Sequence, residues 1–169
     1  MRALTILQPY AWLIVHGPQR VENRTWFTRY RGPLLIHAGK RLAPNDWWYD
    51  DVAAARERGL IEAPPIEADE VITQWARRVF PRGALIGTCE LLGCLRYNPY
   101  GTLAADRWAH GPFCWILSDV RAFPDPIPYR GQRGLFHVPD SAVSSAMEAA
   151  EQPDNSRNPL DAPSSMLYS

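Results

Sequence analysis

Four side chains of complementary chemistry alternate along the stretch 17–26. They are Arg20, Glu22, Arg24 and Trp26. Residues two positions apart in an extended chain point to the same face, so two guanidinium groups, a carboxylate and an indole would share one surface. Val21 suits a core on the opposite face. The shared surface could hold an anion, a base or both.

A simpler interpretation of this stretch is a ladder of solvated ion pairs, which contributes little to stability. In the binding interpretation, the guanidinium of Arg24 favours the charged form of Glu22 and predicts a low pKa for that carboxyl. A carboxylate with a low pKa is a weak general base at neutral pH. The pattern therefore favours positioning, with Glu22 accepting a hydrogen bond from a base amine and Arg24 binding phosphate.

Three more residues are candidates for the same site. Trp26 could stack on a base, a contact worth about 1–3 kcal/mol, although a core or rim aromatic is an equal alternative. Lys40 is the only lysine of the chain, and its amine could reach a ligand from the end of a strand. An exposed loop lysine is the alternative. His37, in the same strand, is more often a core histidine than a catalyst.

A loop framed by glycines near the end of the chain carries further cations. Arg130, Gln132 and Arg133 lie there and could clamp a phosphate. The alternative is a solvated loop.

Composition limits the classes of function. The 169 residues and 46% hydrophobic content predict one globular core. The 18 basic residues balance 18 acidic ones, so a polyanion site must be local. Cys89, Cys94 and Cys114 lack CxxC spacing, which argues against a zinc site or disulfides, and no metal or cofactor is predicted. The apolar runs are too short for a signal peptide or a bilayer, so the chain is predicted to be cytoplasmic with no membrane partner.

Short apolar runs punctuated by glycine and proline predict the elements that must position these residues. Strands are predicted at 3–7, 34–38, 83–95, 113–117 and 135–138, an edge strand at 123–128, and helices at 9–17, 52–58, 67–80 and 139–150, with a polar to helical segment from 43. The pattern favours an α+β, mainly β fold, a small β-barrel of about five to six strands decorated by helices. We expect one domain at 1–140, with a C-terminal helix and a flexible or surface-docked tail at 141–169.

Five segments in this order resemble the ASCH domain family. They are LTILQPYA (4–11), GPQRVENR (17–24), LIHAGK (35–40), GALIG (83–87) and GPFCW (111–115). The resemblance implies a PUA-like β-barrel with a cleft, and an association with RNA binding or nucleic-acid processing.

The family motif G-x-K-x-x-[E/T]-x-R lies at that cleft and corresponds here to Gly17, Gln19, Glu22 and Arg24. Some small members are amidohydrolases of acetylated cytidine that use a lysine, a threonine and a glutamate. Gln19 occupies the lysine position and Glu22 the threonine position, so that chemistry is not carried over. Other members are described as ribonucleases.

The sequence therefore predicts a module that binds RNA or a modified nucleoside or nucleotide, with DNA as a possible ligand. The predicted ligand-binding residues are Gly17, Gln19, Arg20, Glu22, Arg24, Trp26, His37 and Lys40. A hydrolase, either a ribonuclease or an amidohydrolase of an acylated nucleoside, with Glu22 and Lys40 as catalytic residues is the alternative, and a protein-interaction domain is a third interpretation.

Overall fold

A six-stranded sheet forms the centre of the protein in the computed structural model, which describes residues 1–44, 48–63 and 69–151. The strands are β1 (Arg2–Gln8), β2 (Val21–Arg24), β3 (Gly32–Leu42), β4 (Ala84–Arg96), β5 (Phe113–Pro128) and β6 (Leu135–His137). Their order is β2-β5-β4-β3-β1-β6, and all neighbours are antiparallel except β1 and β3. A parallel pair needs a crossover connection, and here that connection carries the 17–26 stretch to the far edge of the sheet.

Helices cover the sheet where the sequence is apolar on one side or all round. They are α1 (Tyr10–Val15), α2 (Tyr49–Glu57), α3 (Asp69–Val79) and α4 (Ser144–Glu151), with a 3-10 turn at Asp140–Ala142 before α4. In α3, Ile72 and Ala76 are buried on the inner face, whereas Val71 and Val79 are exposed. The indole of Trp48 is fully buried before α2 and donates to the Ala43 carbonyl at 3.0 Å.

Both faces of the sheet are buried. Leu4 and Ile36 belong to one core cluster with Trp115, whereas the adjacent Ala3 and Leu35 belong to another. This division follows from the alternation of side chains along a strand. The second of these clusters also contains Val143, and α4 packs on it.

The fold class predicted from the sequence is confirmed: a mainly β α+β protein whose six-stranded sheet is decorated by helices. The sheet curls towards a barrel, because Arg24 Nη1 on edge strand β2 donates to the Thr5 carbonyl of β1 at 3.4 Å. In the described part of the chain no ladder pairs β2 with β1 or β6, so this contact is made by a side chain.

Two predicted elements differ from the structure. The strands expected at 113–117 and 123–128 are one strand, β5, and only Phe113–Ile116 pair with β2. Opposite β4 the register jumps between Ala122 and Ile127. Prolines at 124 and 126 fall in that irregularity, where no ladder donor is needed. The helix expected at 139–150 is divided into the 3-10 turn and α4.

The expected helix over 67–80 is present as α3 from Asp69, and its predicted first residues lie outside the described residues. The same holds for 45–47 of the segment expected to start at 43, and for 152–169 of the predicted tail.

Candidate functional site

Strand β2 directs Glu22 and Arg24 to one face and Val21 to the other. Val21 is 2% exposed and packs with side chains of α1, α2 and α3. Arg24 Nη1 donates to Glu22 Oε1 at 3.3 Å, and the carboxylate is itself buried at 7% exposure. The structure thus shows an ion pair with a buried carboxylate and a partly exposed guanidinium, where the solvated ladder was the simpler interpretation.

Burial decides the protonation chemistry of Glu22. Desolvation raises the pKa of this carboxyl to about 7, outweighing the opposing effect of the Arg24 charge and hydrogen bond. The low pKa expected from the neighbouring guanidinium is therefore wrong. The expectation considered the adjacent charge alone, whereas the cost of burying the charged carboxylate is the larger effect here.

Trp26 is part of the packing around this pair. Its ring lies nearly perpendicular to that of the fully buried Trp115, with centroids 4.7 Å apart. The Arg24 guanidinium carbon lies 5.9 Å from the Trp26 ring centre, at the outer limit of a cation–π contact. Trp26 remains partly exposed while packing against the core, so one side of the ring forms a rim.

Gly17, Gln19 and Arg20 close the end of α1. A Cβ on Gly17 would lie 2.7 Å from the Leu13 carbonyl oxygen, which only glycine avoids. Arg20 Nη1 donates to the carbonyls of Ile14, Gly17 and Gln19. These contacts stabilise the turn that leads into β2.

Gln19 stands at the motif's lysine position and is 2% exposed. Its Nε2 donates to the Val21 carbonyl at 2.9 Å. Its Oε1 is buried without a hydrogen-bond partner among the residues that the structure describes. A neutral amide is thus accommodated at a depth where a lysine ammonium would be costly to bury.

A cleft of about 810 Å³ lies at the carboxyl end of β3. It is lined by Thr5, His37, Gly39, Lys40, Gly83 and residues 128–133. Three of these side chains are cations, Lys40, Arg130 and Arg133, and none is a carboxylate. The cleft is therefore suited to an anionic ligand.

Backbone contacts at Gly83 hold this cleft together. The Gly83 amide donates to the Ala38 carbonyl at 2.8 Å, and the Tyr129 amide donates to the Gly83 carbonyl at 3.0 Å. The Lys40 stem crosses Gly83, with Cε only 3.4 Å from where a Cβ would lie. Gly83 also has a positive φ of 66°, a conformation that favours glycine.

His37 forms the buried wall of the cleft at 2% exposure. Its Nε2 lies 3.0 Å from the Tyr129 carbonyl, which only accepts, so Nε2 carries the proton. Its Nδ1 is buried and has no partner in the described part of the chain. Burial lowers the pKa of the ring, although the Tyr129 bond opposes this effect. His37 is therefore a neutral side chain in the cleft wall, and its Nδ1 atom can still accept a hydrogen bond.

The structure separates the two residues proposed as catalytic. Lys40 lines the cleft and Glu22 does not, and the ion pairs found among the described residues do not join them. They are linked through Thr5, whose side chain lines the cleft and whose carbonyl accepts from Arg24. Thr5 Oγ1 also donates to the Gln132 carbonyl at 3.0 Å. Nothing in the sequence signalled this role for Thr5.

Asn23 was also missed by the sequence analysis. Its Nδ2 donates to the Trp108 carbonyl at 2.6 Å, and its Oδ1 accepts from the amides of His110 and Gly111 at 2.9 and 3.1 Å. A half-buried amide that bridges two segments 85 residues apart gives no local sequence pattern. It anchors β2 to the loop before β5.

Two further observations bear on the class of site. Within the described ranges there is no group of three or more His, Cys, Asp or Glu residues that could hold a metal ion. None of the helices described is long and apolar enough to cross a membrane.

The ASCH domain model matches residues 4–127, which covers most of the chain and includes most of β1, all of β2 to β4 and nearly all of β5. The chain belongs to the ASCH domain family. Its similarity to activating signal cointegrator 1 extends over 143 residues, with 28% identity to the human protein and 34% to the mouse protein. Those matches cover 83% of this ASCH chain but only 22% of either relative.

Proposed function

We propose that this ASCH domain binds nucleic acid, with a nucleotide of RNA in the cleft between Thr5 of β1, the end of β3 and residues 128–133. The observation that carries the proposal is the cationic lining of the cleft, in which the described residues include Lys40, Arg130 and Arg133 and no carboxylate. Guanidinium groups bind phosphate through two parallel hydrogen bonds, and an ammonium adds a point charge. Family membership, which associates the fold with RNA, supports the same ligand class.

The volume of the cleft supports a nucleotide over a bare phosphate. About 810 Å³ lies within the range of pockets that enclose whole small molecules. Tyr129 contributes an aromatic to the lining, and Thr5 contributes a hydroxyl. Arg24 donates to the Thr5 carbonyl and neither Arg24 nor Trp26 lines the cleft, so in this proposal Arg24 supports Thr5 and neither residue grips the phosphate.

A titration of labelled single-stranded RNA, followed by fluorescence anisotropy at low salt, tests this function. Arg133→Gln and Arg130→Gln should each weaken binding about threefold to tenfold, because each removes one phosphate-binding cation. Arg29→Gln is the matched control, since this exposed arginine lies before the opposite end of β3. Failure of the wild-type domain to bind, or equal loss in all three variants, would contradict the proposal.

A hydrolase is the second candidate, favoured by one observation. A carboxyl with a pKa of about 7 exchanges protons readily at neutral pH, which suits a general acid or base. In this version Glu22 acts with Arg24, and Lys40 contributes only to binding. Turnover of labelled RNA or of an acylated cytidine by the wild type, lost in Glu22→Gln, would establish it. Turnover that survives this substitution would exclude Glu22 as the catalytic group.

A further inference from the structure

A second basic depression adjoins the cleft. It has a volume of about 490 Å³. It is lined by Lys40, Arg41, Leu42, Ala43, Thr73, Arg77 and Arg82. Lys40 lines both depressions, so the two share a wall at the end of β3.

We propose that the two depressions form one basic track, consisting of Lys40, Arg41, Arg77, Arg82, Arg130 and Arg133, that binds the phosphodiester backbone of a nucleic-acid strand several nucleotides long. This inference rests on the function proposed above and extends it from one nucleotide to a strand. The backbone of RNA or DNA supplies the same repeating anion, so the shared chemistry is the phosphodiester.

The six cations of the basic track have exposed side chains that face solvent. None of the six belongs to the ion pairs found among the described residues, which are those of Arg24, Arg107 and the amino terminus. Among the residues that the structure describes, no carboxylate lines either depression. Because the whole chain has a formal net charge of zero, this gathering is a local excess and does not reflect general basicity.

The dipole of α3 explains only part of this clustering of cations. Arg77 lies in the last turn of α3, where a cation interacts favourably with the helix dipole. That effect does not account for Lys40 and Arg41, which come from β3. Arg82 joins the two elements, since its guanidinium donates to the Arg77 carbonyl at 3.1 Å and the Lys40 carbonyl at 3.4 Å. The strand end and the helix end are thus held with their cations on one surface.

A nucleic-acid strand suits this distribution of cations better than a single anion does. One phosphate contacts two or three cations at a time, whereas the basic track divides six between two depressions on either side of Lys40. A single nucleic-acid strand carries a charge about every 3.4 Å, so successive phosphates can follow such a surface. An acidic peptide also repeats charge, but its side chains do not need a cleft as large as the first depression.

The test compares the affinities of a mononucleotide, a dinucleotide, a tetranucleotide and an octanucleotide, each made as RNA and as DNA, by anisotropy or calorimetry. We expect affinity to rise with length in either nucleic acid. Arg41→Gln and Arg77→Gln should each weaken octanucleotide binding about threefold to tenfold and leave mononucleotide binding unchanged. Each should also reduce the salt slope, log K against log salt concentration, by about 0.7. Arg29→Gln again serves as the control.

The basic track would be overturned by equal affinity for the mononucleotide and the octanucleotide, or by octanucleotide binding that Arg41→Gln and Arg77→Gln leave unaffected. The cleft would then remain the proposed site. Absence of binding at every length would overturn both proposals. If polyglutamate of equal charge bound as tightly as the octanucleotide, the assignment to a nucleic-acid strand would be overturned.

Discussion

Arg24 lies 3.3 Å from Glu22, yet the carboxyl of Glu22 has a pKa raised to about 7. The attraction of a guanidinium at this distance normally lowers the pKa of a carboxyl group. Here the loss of hydration on burial disfavours the charged carboxylate more than the contact with Arg24 favours it. The pair therefore holds a titratable proton near neutral pH, next to the Thr5 carbonyl that connects it to the basic cleft.

Removing the Arg24 charge should raise the pKa of Glu22 further. Arg24→Met keeps much of the side-chain bulk but loses the charge and the hydrogen bond that oppose the burial effect. Titration of the carboxyl carbon by NMR should show a pKa of about 7 in the wild type and a higher pKa in the variant. A wild-type pKa near 4.5 would show that solvent reaches the carboxylate and would contradict the account.

Glu22 should also make stability depend on pH. Its pKa rises from 4.5 in the unfolded chain to about 7 in the folded protein, so the folded state retains the proton between these values. The stabilisation from that proton is complete below pH 4.5 and is lost as pH rises through 7, a change of about 3 kcal/mol. Glu22→Gln does not titrate and does not show this loss.

Urea unfolding of the wild type and Glu22→Gln measures the effect as a difference, which cancels the contributions of other groups. From below pH 4.5 to above pH 7, the free energy of unfolding of the variant should rise relative to the wild type by about 3 kcal/mol. A difference that stays constant with pH would contradict the assigned pKa.

Gly131 permits the loop 128–133 to lie directly on His37. A Cβ at this position would lie 2.7 Å from both His37 Nδ1 and Thr5 Oγ1, so Gly131→Ala must displace the loop. We expect a loss of about 1–3 kcal/mol in the free energy of unfolding, together with weaker RNA binding. Gly93→Ala is the control, because its Cβ would meet Ile116 at an ordinary 3.5 Å. Equal stability of the two variants would contradict the close contact.

Asn23 should matter for stability although it does not line the cleft. Asn23→Ala removes the acceptor for the amides of His110 and Gly111 and the donor to Trp108, which should cost about 2–3 kcal/mol of unfolding free energy. Asn98→Ala, which loses one exposed bond to the Tyr100 amide, should cost less than about 1 kcal/mol. Thermal or urea unfolding compares them, and a reversed order would contradict the bridging role.

The strands that frame the cleft could be predicted from the sequence because their signals are local. The apolar runs of β1, β3 and β4 are bounded by glycine or proline, and alternation in β2 correctly places Val21 opposite Glu22 and Arg24. The continuity of β5 could not be predicted, since prolines normally end a strand and are tolerated here only at a register irregularity with β4.

The chemistry of the site could be predicted less well from the sequence. Whether burial or Arg24 controls the pKa of Glu22 depends on how deeply the curled sheet buries β2, which no neighbouring residue reveals. The separation of Lys40 from Glu22 likewise arises from the path of β3 across the sheet. The contact of Arg24 with Thr5 joins residues on strands that are not neighbours in the sheet, so no local sequence pattern predicts it.

The most direct test of nucleic-acid binding in this cleft is a map of amide chemical-shift changes by ¹⁵N–¹H NMR as a single-stranded RNA octanucleotide is added. We expect the largest changes at Thr5, Lys40 and residues 129–133, with smaller changes at Arg41 and Arg77. Changes confined to another surface, or no changes at low salt, would contradict it.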